Sequence, residues 1–116
     1  MKNVYKIVKY FPYPGARYEN LGPYSGESFK KYLYKIIIDN YGTDFKNNSS
    51  NEVIIDLDGT PGYGSSFLEE GFGGLIRLGV PYTIVNSLII KTEEEPELAV
   101  EIKDYINDEY KKIKGK

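Results

Sequence analysis

Two aspartates and two serines lie close together in the segment IIDLDGTPGYGSSF, residues 54–67, and either pair could carry chemistry. Asp56 and Asp58 follow an apolar run. Neighbouring carboxylates can serve as nucleophile and acid–base group beside a metal ion. Ser65 and Ser66 follow a glycine-rich loop at the predicted start of a helix, where a hydroxyl can cap the helix or accept a phosphate. The segment therefore predicts either an active site or a regulatory surface.

The composition removes several classes of chemistry. The 116-residue chain contains no cysteine and no histidine, which excludes disulfides, Cys/His metal sites and His-dependent triads. Fifteen basic and 17 acidic residues give a net charge of -2, so there is no electrostatic case for nucleic acid or an anionic membrane as a partner. Lysines interrupt the apolar run at the N-terminus. We therefore expect no signal peptide or membrane span, a cytoplasmic protein, and one domain over residues 1–116.

The predicted elements alternate between strands and helices in the order β–(β)–α–β–α–β–α. The strands are expected over 3–11, 16–20 (a short antiparallel return), 52–58 and 81–91. The run of apolar residues in the third of these indicates a central, parallel strand. This alternation predicts an α/β fold, with a small, mostly parallel (mixed) sheet of about four strands flanked by about three helices.

Local signals place the helices. Ser25 is the expected N-cap of the first helix, and Gly42 its C-terminal stop. Ser66 and Glu69 are spaced as a capping box for the second helix, which should end at Gly79. The last helix is expected over 93–113, with its buried face formed by Leu98, Ile102, Tyr105, Ile106 and Ile113. Ligands of such sheets bind at the carboxyl ends of the strands, which selects the loop after residue 58 as the site.

The stretch IIDLDGT resembles the first motif of the haloacid-dehalogenase-like phosphatases, in which a strand ends in Asp-x-Asp-Gly-Thr. This resemblance implies a small Mg²⁺-dependent phosphatase-like protein, with Asp56 as nucleophile and Asp58 as acid–base group. It covers seven residues. That family places the motif at the first strand, whereas here a strand and a helix precede it and only 58 residues follow Asp58 (116 − 58). The later lysine motif of that family has no convincing place here, because Lys91 lies beside TEEE, a charge run that is interpreted as a helix start.

A longer stretch, VIIDLDGTPGYGSSFLEEGFGGLIRLG, resembles the STAS domain of sulfate transporters and anti-sigma-factor antagonists. The core pattern of that domain is a buried strand, a loop and Asp-Ser-Ser-Gly-Leu opening a helix. The chain is most similar to a divergent STAS-like group with a GxR…SGExF segment before its first helix and an SSFxxE-like helix start. The matching residues are Gly15, Arg17, Ser25, Gly26, Glu27, Phe29, Ser65, Ser66, Phe67, Leu68 and Glu69. Two positions depart from the antagonists: Gly64 replaces Asp and Phe67 replaces Gly.

This resemblance implies a non-enzymatic regulatory module without a cofactor. Its partner would be a protein, for example a histidine-kinase-type ATP-binding regulator, and phosphorylation of Ser66 would release that partner. Ser65 is the alternative, because a one-residue shift of the helix start exchanges the two serines. The residues expected to contact the partner are Asp58, Gly59, Tyr63, Gly64, Phe67 and Glu69.

Three alternatives remain open at this point. Ser66 can be a helix cap only, and Phe67 can belong to the core instead of anchoring a partner. Arg17, with Ser25 and Glu27, forms a possible anion-binding or structural cluster in which Arg17 pairs with Glu27 or Asp58.

Overall fold

The sheet is parallel, and its middle strand is the one that the sequence predicts to be central. The computed structural model describes residues 2–47 and 52–115. In these ranges the strands β1 (Lys2–Lys6), β2 (Glu52–Asp56) and β3 (Ile89–Lys91) form a three-stranded sheet in the order β1-β2-β3. Both pairs are parallel, with Val4 opposite Ile54 and Ile54 opposite Ile89. The predicted α/β class is confirmed, with three strands in place of about four.

The predicted antiparallel return over 16–20 is wrong. Two short 3₁₀ helices, Ile7–Lys9 and Glu19–Leu21, lie in the region between β1 and the first helix. The backbone N–H of Gly15 bonds to the carbonyl of Tyr24 (2.8 Å), and that of Gly26 to the carbonyl of Ala16 (2.8 Å). These groups are satisfied around the helix start and are not available for a strand pair.

The first helix, α1 (Gly26–Tyr41), begins where the sequence predicts. The Ser25 hydroxyl accepts a hydrogen bond from the backbone N–H of Ser28 (3.1 Å), so the predicted N-cap is confirmed. Gly42 ends the helix with a φ of 83°. The buried face of α1 is formed by Phe29, Leu33, Ile36 and Ile37.

A continuous helical segment follows the glycine-rich loop. It consists of α2 (Ser65–Leu68), a π-helical segment (Glu69–Gly73) and α3 (Gly74–Arg77), and Gly79 ends it with a φ of 93°. Gly71 lies against the Phe29 ring, where an added Cβ would be 2.4 Å from Cδ2. Only glycine allows α1 to approach the π-helical segment this closely.

The predicted strand over 81–91 is a helix for most of its length. Tyr82–Ser87 form α4, and only the last three residues are β3. The Tyr82 ring stacks on Tyr110 at 4.3 Å, and its hydroxyl donates to Asn107 Oδ1 (2.6 Å). These contacts with the last helix outweigh the β-propensity of Thr83 and Val85.

The last helix, α5, spans Glu97–Lys114 and starts after Pro96, four residues later than expected. Leu98, Ile102 and Ile106 are buried as predicted, but Ile113 is 44% exposed, so its expected burial is wrong. Among the residues that the structure describes, none of the helices combines the length and apolarity needed to cross a membrane.

The helices cover one face of the sheet. Val53 and Ile55 point to this face and are buried in a core to which each α-helix of the described residues contributes. On the same face of β1, Asn3 donates to Asn40 Oδ1 of α1 (2.9 Å), and Asn40 donates to the Tyr5 hydroxyl (3.1 Å). The loop after β2 leads from the sheet into α2, which places the predicted site at the carboxyl edge of the sheet.

Candidate functional site

The loop over 57–64 is held in one conformation by its own contacts. Gly59 (φ 98°) lies on Val8, and an added Cβ would be 3.3 Å from Val8 Cγ1. The half-buried Tyr63 donates its hydroxyl to the carbonyl of Leu57 (2.7 Å). Burial raises the pKa of Tyr63 to about 12, so the phenol stays neutral and keeps donating at physiological pH. Tyr63 therefore stabilises the loop from the inside.

Asp56 and Asp58 both take part in structural hydrogen bonds. The buried Asp56 accepts the backbone N–H of Asp58 (3.0 Å). The carboxylate of Asp58 accepts the backbone N–H groups of Glu94 (3.0 Å) and Glu93 (3.1 Å). These two bonds, reinforced by Lys91, lower the pKa of Asp58. Asp58 therefore fixes the turn that leads from β3 to α5.

Lys91 lies between the two aspartates. Its Nζ is 3.2 Å from Asp58 Oδ2 and 3.6 Å from Asp56 Oδ2. Lys91 is the last residue of β3, as the predicted strand over 81–91 has it. The two aspartates and Lys91 thus meet at the carboxyl edge of the sheet, a contact between distant residues that the sequence did not predict.

This arrangement does not fit a Mg²⁺ ion. In ranges 2–47 and 52–115, no group of three Asp or Glu side chains is placed to hold a metal. The oxygens of Asp58 already receive two backbone N–H groups and the ammonium of Lys91, so a metal would have to displace them. A metal-dependent reaction at this site would first require these contacts of Asp58 to break.

Both candidate serines are exposed on the first turn of α2. The helix begins at Ser65 with Gly64 as its N-cap, and no side chain caps it. The predicted capping box is wrong because Ser66 is already the second helical residue and Glu69 binds two arginines. A role as helix cap therefore does not explain the presence of a serine at position 66. An added Cβ at Gly64 meets no atom within 4 Å, so the loop has room for the Asp that the antagonists carry there.

Phe67 is a core residue. Its side chain is fully buried, stacks on Phe29 at 4.8 Å between ring centroids, and meets the edge of Phe11 at 6.0 Å. Its expected role as an exposed partner anchor is wrong, since its position in the helix directs the ring inward against α1. Gly26 makes this contact possible, because an added Cβ would be 3.0 Å from the Phe67 carbonyl oxygen.

Arg17 pairs with neither of its predicted partners. Its Nη1 bonds to Glu69 Oε1 (2.6 Å) and Glu70 Oε1 (3.0 Å). Glu27 instead accepts the backbone N–H of Glu19 (2.8 Å). Ser25 is a buried helix cap. The GxR…SGExF segment is therefore structural: it joins the start of α1 to the helical segment after the serines.

Sequence reasoning missed the other members of this group. Arg77 makes two hydrogen bonds to Glu69 (2.8 and 3.0 Å), and Lys30 bonds to Glu70 (2.7 Å). We call Arg17, Lys30, Glu69, Glu70 and Arg77 the ionic cluster. Bonds from Arg77, and then Arg17, lower the pKa of Glu69 to about 2. Burial alone would raise the pKa of Glu70. The hydrogen bonds from Lys30 and Arg17 together have the larger effect, so the pKa of Glu70 lies below its ordinary value. Both carboxylate oxygens of Glu69 are therefore hydrogen-bonded to arginines of this domain.

Fold and site together define an α/β domain in which a rigid glycine-rich loop leads from a central parallel strand to a pair of exposed serines. A family model described as "STAS-like domain of unknown function (DUF4325)" matches residues 30–98. The match covers more than half of the chain, so the chain belongs to this STAS-like family, as the sequence motifs predict. No curated protein and no solved structure gives a significant match.

Proposed function

We propose that this protein is a non-enzymatic regulatory module that binds a protein partner through the docking corner, defined as residues 58–66. The observation that carries the proposal is the exposure of Ser65 and Ser66 on a helix start that neither hydroxyl caps. The corner is held by Tyr63 and Asp58, so a partner meets a preformed surface and little ordering entropy is lost on binding.

Phosphorylation of Ser66 regulates the proposed complex. A phosphate adds about −1.5 to −2 charges at pH 7. Glu69 and Glu70 lie three and four residues after Ser66, hence on the same side of the helix, and both remain ionised because of their lowered pKa values. The charges of these two carboxylates are already balanced by Arg17, Lys30 and Arg77, and residues 59–66 carry no charged side chain. The added phosphate would therefore turn an uncharged surface into a strongly negative one. A partner docked there would be released.

Membership in a STAS-like family supports a protein partner for this surface, and a histidine-kinase-type ATP-binding regulator is the partner class we propose. Phe67 is buried and Glu69 is bonded to Arg17 and Arg77. The partner should therefore contact the exposed residues Gly59, Pro61, Gly64, Ser65 and Ser66. This surface is rich in backbone and small side chains, which favours shape complementarity over large aromatic anchors.

The test is binding to a purified histidine-kinase-type ATPase, chosen first from the products of neighbouring genes. We expect wild-type protein and Ser66→Ala to bind equally, and Ser66→Asp to bind at least about tenfold more weakly. Aspartate is favourable in the first turn of a helix, so the variant should stay folded. Glu97→Gln, on α5, is a control that should bind as wild type. Equal binding by Ser66→Ala and Ser66→Asp would reject the switch.

A second candidate, the phosphatase-like enzyme, has one observation in its favour, the position of Lys91 beside Asp56 and Asp58. The non-enzymatic proposal predicts no turnover of a generic phosphate ester with Mg²⁺. Turnover that disappears in Asp56→Asn and persists in Glu97→Gln would favour the enzyme instead.

A further inference from the structure

A charged residue lies on the buried stripe of α5. The buried residues of this helix are Leu98, Ile102, Ile106 and Glu109, spaced so that they share one face. The pattern calls for an apolar residue at the last of these positions, yet Glu109 is only 8% exposed. A buried carboxylate loses its hydration, which costs free energy unless hydrogen bonds or ion pairs replace the water.

The contacts of Glu109 within the domain replace that water only in part. Its Oε1 lies 3.4 Å from Arg77 Nη1, and its Oε2 lies 3.9 Å from Lys112 Nζ. Both distances exceed the length of a charge-assisted hydrogen bond, about 2.7–2.9 Å. Among the described residues, no fully buried side-chain oxygen or nitrogen lacks a hydrogen bond, so the oxygens of Glu109 reach solvent. Glu109 therefore keeps its capacity to accept hydrogen bonds from a ligand.

Glu109 lines a cleft of about 330 Å³ between α5 and the ionic cluster. The other lining residues are three cations, two carboxylates and one tyrosine: Arg17, Arg77, Lys112, Glu69, Asp108 and Tyr105. With Glu109 included, three positive and three negative side chains surround the cleft. Its volume lies at the lower end of the range for small-molecule sites, about 300–1,000 Å³. The cleft therefore suits a small ligand without net charge.

Arg17 offers unused hydrogen-bond donors at the same cleft. Only its Nη1 takes part in the ionic cluster, where it bonds to Glu69 and Glu70. Its Nε and Nη2 carry three further N–H groups, which reach solvent and donate to none of the described residues. The Nε–Nη2 edge of a guanidinium binds a carboxylate through two parallel hydrogen bonds.

The unused donors and the unused acceptor are close together. Arg17 contacts Glu69 at 2.6 Å, and Glu69 contacts Arg77 at 2.8 Å. Arg77 in turn contacts Glu109 at 3.4 Å. Only one carboxylate and one guanidinium thus separate Arg17 from Glu109. Tyr105 adds a half-buried ring to the wall, and burial raises the pKa of its hydroxyl, which therefore stays protonated.

We propose that this cleft binds a free α-amino acid with an uncharged side chain. The carboxylate of the ligand binds the Nε–Nη2 edge of Arg17, and its ammonium group binds Glu109. An α-amino acid carries these two charges on neighbouring carbon atoms, so it fits a donor edge and an acceptor that are close together. Its side chain lies against the ring of Tyr105. This site is separate from the docking corner and does not depend on its function.

Ligands with a single charge satisfy only one end of the cleft. An inorganic anion at Arg17 would leave Glu109 without a donor. A metal ion at Glu109 would stand beside the guanidinium of Arg77, 3.4 Å from the same carboxylate, and would be repelled by it. A zwitterion satisfies both ends and keeps the charges of the cleft balanced.

The first test is a ¹H–¹⁵N NMR titration of the full chain with each uncharged proteinogenic L-amino acid. We expect at least one of them to shift the amide resonances of Arg17, Tyr105 and Glu109, with a dissociation constant of about 0.1–1 mM. The N-acetyl derivative of that amino acid lacks the ammonium charge, and its amide lacks the carboxylate. Each derivative should bind at least about tenfold more weakly. These comparisons use the wild-type chain, so misfolding cannot produce them.

The second test uses two matched variants. Glu109→Gln should weaken binding of the amino acid at least about tenfold, because it removes the acceptor charge. Glu97→Gln, on the same helix but outside the cleft, should bind as the wild type. No shift with any of these amino acids up to about 10 mM would overturn the proposal. So would equal binding of the two derivatives and the parent amino acid, or full affinity in Glu109→Gln.

Discussion

The ionic cluster should make the stability of this protein depend on Glu69 and on pH. We consider Glu69→Gln, which keeps the shape of the side chain and removes its charge. In the wild type, Glu69 accepts two bonds from Arg77 and one from Arg17. The substitution leaves both guanidinium groups without their shared carboxylate. We therefore expect a lower free energy of unfolding at neutral pH.

The pKa of Glu69 sets the magnitude. A fall from 4.5 to about 2 is about 2.5 units, or about 3.4 kcal/mol at 1.36 kcal/mol per unit. The side chains of Glu69 and Arg77 are 23% and 37% exposed, so solvent screens part of this interaction. We therefore expect a net loss of about 1–2 kcal/mol for Glu69→Gln at pH 7.

The sign of the pH dependence follows from the direction of the shift. A carboxylate whose pKa is lowered by folding stabilises the folded state above its unfolded pKa, and this contribution is lost as the pH falls through the folded pKa. The wild type should therefore lose stability between about pH 4.5 and about pH 2. Glu70, whose pKa is lowered as well, adds to the same loss. The difference between wild type and Glu69→Gln should vanish towards about pH 2.

Urea unfolding monitored by circular dichroism at several pH values gives the required free energies. Glu101→Gln, at an exposed position in the middle of α5, serves as the matched control and should follow the wild type. The reasoning would be refuted if Glu69→Gln were as stable as the wild type at pH 7. It would equally fail if both proteins lost the same free energy between pH 5 and pH 2.

The remaining predictions concern the glycines and the loop. Gly71→Ala should lower the free energy of unfolding in urea by about 2 kcal/mol or more, because its Cβ would overlap the Phe29 ring. Gly64→Ala should change this free energy little, because its Cβ would meet no neighbouring atom. Equal effects of the two substitutions would contradict the packing of Gly71 on Phe29. Tyr63→Phe should lose the hydrogen bond to the Leu57 carbonyl, which should lower the free energy of unfolding by about 1 kcal/mol and speed amide exchange in residues 58–64. Unchanged exchange would show that this bond does not hold the loop.

The sequence predicted the elements whose signals are local. Ser25 caps α1 as expected, because the cap and its partner are three residues apart. The apolar run in β2 predicted a central parallel strand correctly, although helices cover only the face on which Val53 and Ile55 are buried. The serine pair and the strand–loop–helix order also led to the right family, since these features are adjacent in the chain.

Predictions that depended on distant contacts were wrong. Arg17 and Glu69 are 52 residues apart, and nothing near Arg17 indicates this pairing. The β-branched residues of α4 predicted a strand, and the contacts of Tyr82 with Tyr110 and Asn107 on α5 explain the helix. The expectation that Phe67 faces a partner was wrong because its burial depends on the packing of α2 against α1. The sequence pattern of a single helix does not reveal this packing.

The central claim is that residues 58–66 form a docking surface and not an active site. Hydrogen exchange of this protein, free and bound to the histidine-kinase-type ATPase identified in the binding test, tests the claim most directly. We predict that binding slows amide exchange in residues 58–66 and that Ser66→Asp abolishes the protection. Unchanged exchange in residues 58–66 in a saturated complex would contradict the account.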